Sequence, residues 1–249
     1  MLLKKIHFAK YSVLIFLFIN FIFSVKYSSR ITSLYLPFSI LITLFFFLIY
    51  KKSEILIKIF SKLKINPLIL LVFYFGFCLL VFTKIPKETL NVDRWSVINS
   101  FWDNYFQGKY VYYAKSFDDN YPGPMPFYFI LALPFYLMGE LGLFSFLGLL
   151  LFILLGFNDF LKSRINIVFI MTGFSLFYLW EICGRSNLFL NGVIVLLSIK
   201  FFFKNYTKSL KSNLIFGVLI GMILSTRNVF IIPYIITFNY ALKAKRIDF

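Results

Sequence analysis

Apolar residues run in nine blocks along this chain, near 8–25, 31–50, 67–83, 124–138, 140–157, 165–180, 187–203, 213–225 and 229–242. Short charged connectors separate them. A crossing helix takes about 20 apolar residues, and only helices and closed barrels satisfy their backbone inside lipid. Barrel strands alternate inward and outward over about ten residues. The stretch 41–49, Leu-Ile-Thr-Leu-Phe-Phe-Phe-Leu-Ile, does not alternate. The pattern predicts an all-α, polytopic helical membrane protein.

Charge decides how many blocks cross. Lys and Arg gather on the cytoplasmic side of membrane helices. If all nine blocks cross, the N-terminal tail and the connector 51–66 lie inside, but the basic connector 200–211 falls outside. Block 124–138 is the natural exception. From Pro126 to Met138 it has 13 residues, carries Pro134 and follows Pro122 and Pro124. Such a stretch makes about 20 Å of helix, against roughly 30 Å of hydrocarbon. Placed on the outer surface as a juxtamembrane or re-entrant helix, it leaves about eight transmembrane helices and both termini cytoplasmic. Seventeen of the 26 basic residues are then inside and 7 of the 10 acidic ones outside.

The expected organisation is a single integral-membrane domain over 1–249. It has an N-terminal helical hairpin at 1–66, an outer loop at 84–122 and a helical core at 123–242. Residues 213–242 are expected as two helices turning at Thr226–Asn228. One kinked helix is the alternative, and it would leave Arg227 costly at mid-membrane. Lys4, Lys5 and Lys10 ahead of the apolar 13–23 imitate a signal peptide, but no small-x-small site follows. A retained signal-anchor is expected.

Composition agrees: 60% hydrophobic, 36 Phe and a mean hydropathy of +0.84 lie outside the range of soluble domains. A net charge of +16 would suit nucleic acid. The cations cluster at block ends, however, where they meet anionic lipid, so the bilayer is the expected partner and nucleic acid is not. Cys78 and Cys183 form no disulfide framework or metal spacing, and the single histidine, His7, sits in the basic tail. Acid–base chemistry therefore falls to carboxylates.

Five of the ten carboxylates lie in the outer loop. Asp93, beside Arg94, can take a proton from an attacking hydroxyl, or it is simply a solvated loop acid. Asp118 and Asp119 suit a metal or a solvated turn. Trp95, Val97, Phe101 and Trp102 recur at helical spacing, as in a helix lying on the membrane surface. Tyr110 to Tyr113 fit an interfacial belt or a sugar-stacking platform. Glu181, Arg185 and Asn187 gather at one outer helix end, with Arg227 and Asn228 at the next. Two guanidiniums there can grip a phosphate, or anchor helix ends to lipid headgroups.

Taken in order, Asn91-Val92-Asp93-Arg94-Trp95, Gln107-Gly108-Lys109-Tyr110 and Tyr121-Pro122-Gly123-Pro124 resemble the first outer loop of GT-C glycosyltransferases. The likeness is nearest to the polyprenyl-phosphate-mannose-dependent glycosyltransferase family 87. Residues 180–187, Trp-Glu-Ile-Cys-Gly-Arg-Ser-Asn, are similar to its Gly-Gln-x-Asn element. Residues 217–233, with Arg227 in the turn, are similar to its Gly-rich helix, basic residue and Pro-containing helix. The resemblance covers 91–242. Gly123 stands where a second Pro is usual, Arg185 where Gln is common and Arg227 where Lys is common.

That resemblance implies an inverting hexosyltransferase in the cytoplasmic membrane. It would move a mannose-like sugar from a polyprenyl-phosphate donor to a glycan or lipid acceptor on the outer face. Asp93 would be the base. Arg185, Arg227 and Arg94 would hold the donor phosphate, and Tyr110, Tyr121, Glu181, Asn187 and Asn228 would line the substrate and lipid groove. No cofactor and no obligatory metal are implied. Family members usually run longer, so a truncated form, or an inactive or partner-dependent GT-C-like subunit, is an alternative. A component of a lipid-linked-sugar transporter or flippase is another.

Overall fold

A computed structural model describes residues 2–30, 32–63, 65–90, 92–123, 126–155, 164–205 and 210–243, and all regular structure among them is helical. Asn91, Pro124, the connector 156–163, and Lys245 and Arg246 of the basic tail lie outside the described residues. The chain divides into two compact units, Met1–Phe77 with Phe157–Trp180, and Cys78–Gly156 with Glu181–Phe249.

In the first unit, α1 (Leu2–Ser28) and α2 (Tyr35–Lys51) form an antiparallel hairpin. The buried hydroxyls of Ser24 and Ser39 meet at 2.8 Å, and Phe16 meets Phe46 edge to face at 5.7 Å. The basic connector holds a further helix, α3 (Ser53–Lys62), whose Ile55, Leu56, Ile59 and Phe60 recur at helical spacing. Its Glu54 pairs with Arg164 at 2.5 Å. Helix α4 (Pro67–Lys84) opens with proline, which suits a first helical position, and Asn66 Oδ1 caps the Leu68 N–H at 2.9 Å.

The block expected at 165–180 is broken. Helix α8 (Ile165–Gly173) gives way to α9 (Leu176–Cys183) at a bend of 60°. Ser175 is the cause. Its hydroxyl donates to Thr172 O at 2.8 Å and accepts from the Tyr178 N–H at 3.2 Å, so it closes one helix and caps the next. Tyr74 fastens this corner by donating to Gly173 O at 2.5 Å.

The second unit is built on α5 (Arg94–Phe106), α6 (Pro126–Leu137), α7 (Gly142–Leu155) and α10 (Leu188–Asn205). Phe101 stacks on Phe129 at 3.7 Å, and Trp102 Nε1 donates to Phe129 O at 3.1 Å, which locks α5 to α6. Gly139, at φ 80°, supplies a left-handed turn within the 110° bend from α6 into α7. Gly148 lets α7 approach α10 closely, for a Cβ there would stand 3.0 Å from Leu190 Cα. Helices α11 (Leu210–Leu224) and α12 (Ile231–Lys243) are separate, divided by Thr226, Arg227 and a 3-10 turn, Asn228–Phe230. Val195, Ile223, Phe230 and Tyr234 bury a small core around that turn.

Membrane length separates expectation from structure. Two helical stretches, Tyr11–Ser28 and Pro67–Lys84, are long and apolar enough to cross, or up to four if each bent pair is one span. Eight crossings do not follow from length. Tyr35–Lys51, Leu188–Phe203, Leu210–Leu224 and Asn228–Tyr240 are apolar but shorter.

Candidate functional site

Asp93 stands at the mouth of α5. Its backbone carbonyl accepts the first helical bond, from the Val97 N–H at 3.0 Å, but its carboxylate does not cap its own helix. The carboxylate turns instead to a loop, where Oδ2 accepts from Asn120 Nδ2 at 2.8 Å and from Ser116 Oγ at 3.5 Å. That loop is tightly built. Ser116 Oγ accepts from the N–H groups of Asp118 at 3.3 Å and Asn120 at 3.2 Å, and Asp119 takes the left-handed φ of 58° that a short polar side chain tolerates. The Phe117 N–H donates to Ser96 Oγ at 3.3 Å, pinning the loop to the first turn of α5.

A cavity of about 530 Å³ opens beside Asp93. Arg94, Tyr121, Tyr128, Arg227 and Asn228 share its wall. Two stretches distant in the chain thus bring one carboxylate and two guanidiniums to a common space, and a third adds Tyr121 and Tyr128. Arg227 reaches it from extended backbone just before its 3-10 turn, and its guanidinium lies 5.7 Å from the centre of the Tyr128 ring. Its buried Nε has no hydrogen-bond partner among the described residues. Arg94 Nη1 donates to Ser186 Oγ at 3.2 Å. A carboxylate beside paired guanidiniums can deprotonate a hydroxyl while anionic oxygens are held in place.

Arg185, expected at the donor phosphate, lies outside the wall of this cavity. It is 1% exposed and sits at φ 50° just after α9. Nη2 donates to Phe82 O at 3.2 Å and Ile85 O at 2.7 Å, Nη1 to Cys183 O at 2.7 Å, and Nε pairs with Glu140 at 3.3 Å. It thereby satisfies carbonyls at the C-terminal end of α4, where a cation is favoured. All of its guanidinium nitrogens are engaged.

Glu181 is fully buried and does not line the cavity. Its Oε1 accepts from Ser186 Oγ at 2.7 Å and its Oε2 from the Phe189 N–H at 2.8 Å. Asn187 is also buried, beside the Tyr128 hydroxyl, although its Nδ2 makes no hydrogen bond of good geometry. Tyr110 is exposed, against Tyr113 at 4.9 Å, and outside the cavity wall. Asp103 accepts from the Tyr136 hydroxyl at 2.5 Å. Among the described residues no group of three or more His, Cys, Asp or Glu could hold a metal ion.

Sequence reasoning missed Tyr128, Glu140, Ser186 and Asn120. Tyr128 is hidden in the apolar run of α6, and Ser186 lies unmarked between Arg185 and Asn187. Asn120, next to Asp119, carried a signal that turn-forming composition masked. Comparison with protein-family models, curated proteins and solved structures gives no match to this chain.

Proposed function

We propose that this chain is a membrane glycosyltransferase that moves a hexose, mannose-like by the resemblance of its motifs, from a polyprenyl-phosphate donor to an acceptor on the outer face of the cytoplasmic membrane. The observation that carries this reading is the cavity where Asp93 meets Arg94 and Arg227. In the reaction, Asp93 accepts the proton of the acceptor hydroxyl as that oxygen attacks the anomeric carbon. The C–O bond to phosphate breaks, and Arg94 and Arg227 balance the charge left on the polyprenyl phosphate. Tyr121 and Asn228 complete the wall and suit contacts with the sugar. Glu181 stands behind the wall, joined to Arg94 through Ser186, whereas Arg185 and Tyr110 lie outside it.

The same reading sets the topology. Each of the four shorter apolar helices crosses once, with α6 lying on the outer surface, so that eight crossings leave both termini inside. The 110° turn between α6 and α7 and the charge asymmetry support this arrangement.

Purified protein in nanodiscs should release polyprenyl phosphate from a polyprenyl-phosphate hexose when membrane-extract acceptor is added, with the labelled hexose moving to that acceptor. No release with mannose, glucose or galactose donors would contradict the proposal.

A further inference from the structure

We propose that Glu181 and Ser186 are positioning residues which hold the Arg94 guanidinium at the cavity wall, so that a buried carboxylate sets the anion affinity of a cavity it does not touch. The link to anion affinity rests on the phosphate reading above. The positioning itself does not.

A serine hydroxyl has one proton, and a carboxylate only accepts. Ser186 must therefore give its proton to Glu181 Oε1, at 2.7 Å, which leaves its lone pairs for Arg94 Nη1 at 3.2 Å. The second carboxylate oxygen takes the Phe189 N–H at 2.8 Å, in the first turn of α10, where the helix favours negative charge. Glu181 is 0% and Ser186 1% exposed, so water does not compete for either group. The Ser186 backbone is fixed as well. Its N–H donates to Glu181 O at 2.9 Å, and its carbonyl accepts from the Ser145 hydroxyl. If Glu181 served only to cap α10, Oε2 would suffice. Oε1 aimed at the serine that carries Arg94 points to the second duty.

The test is the reactivity of Arg94 toward phenylglyoxal in the full-length protein in nanodiscs, read by peptide mass spectrometry with Arg227 as internal reference. Ser186→Ala and Glu181→Gln should each raise the Arg94 rate relative to Arg227 by about tenfold, the scale of a hydrogen bond to a charged group. Ser186→Thr, which keeps the hydroxyl, should stay near wild type. An unchanged ratio in both variants, a joint rise of Arg94 and Arg227, or a threonine variant as reactive as the alanine one would overturn the proposal. Dodecyl phosphate supplies the other arm, since it should slow labelling of both arginines in the wild type. If it protects neither, the phosphate reading falls, while the ratio among the variants still decides the positioning.

Discussion

Asn120 holds Asp93: its side-chain amide donates to Asp93 Oδ2 at 2.8 Å. The bond directs a carboxylate at the start of α5 toward the loop beside the cavity and fixes the rotamer from which it would take a proton. Asn120→Ala should lower kcat for hexose transfer by about tenfold and leave the donor KM nearly unchanged, the scale of one hydrogen bond to a charged group. Asn120→Asp should do worse, because a second negative charge faces the first. Steady-state transfer kinetics check this. A change confined to KM would contradict the assignment.

Arg227 should act on the donor. It lines the cavity beside Tyr128, and its Nε has no hydrogen-bond partner among the described residues. Arg227→Lys keeps the charge but loses the planar fork, so donor KM should rise by about tenfold with some activity retained. Arg227→Ala should remove nearly all transfer. The measurement is rate against donor concentration at saturating acceptor, repeated with acceptor varied. An effect on acceptor dependence alone would point to another role.

Arg185 should matter for stability rather than for the donor. Removing it takes the guanidinium from three backbone carbonyls and leaves Glu140, part-exposed, with the Gly142 N–H at 2.7 Å. An unsatisfied buried acceptor costs about 1–3 kcal/mol. Arg185→Ala should therefore lower the Tm in detergent sharply, and the fraction that stays folded should keep its wild-type donor KM. A stable Arg185→Ala protein with weakened donor binding would return Arg185 to the phosphate.

Much of this site is legible in the chain because charge is rare within it. Asp93, Arg94 and Arg227 stand out in the chain because ionised groups are costly within long apolar segments. Arg185 stands out equally, yet its function depends on Glu140 and on the carbonyls of Phe82 and Ile85, partners that no local pattern marks. Tyr128 faces the cavity from within a helix whose other residues are nearly all apolar, so periodicity treats it as core. The helical class follows from the apolar blocks. The crossing count does not, because four apolar helices fall short of the length expected of a span and Ser175 breaks the block 165–180.

Sidedness can be tested apart from chemistry. In a background lacking Cys78 and Cys183, Asp118→Cys in the outer loop should react with an impermeant thiol reagent on intact cells, because Asp118 is exposed. Ser61→Cys, exposed on α3, should react only after permeabilisation. The reverse pattern would invert the topology and place the cavity inside.

In the proposed reaction Asp93 is the base, in a cavity whose arginines hold the donor. Asp93→Asn preserves shape but cannot take a proton, and loss of a positioned general base costs about 10²–10⁴-fold in rate. The decisive measurement is hexose transfer by purified Asp93→Asn in nanodiscs, with binding of the polyprenyl-phosphate donor followed in the same preparation. Transfer should fall by at least about a hundredfold while donor binding stays within a few-fold of wild type. Transfer at the wild-type rate would show that Asp93 is not the base.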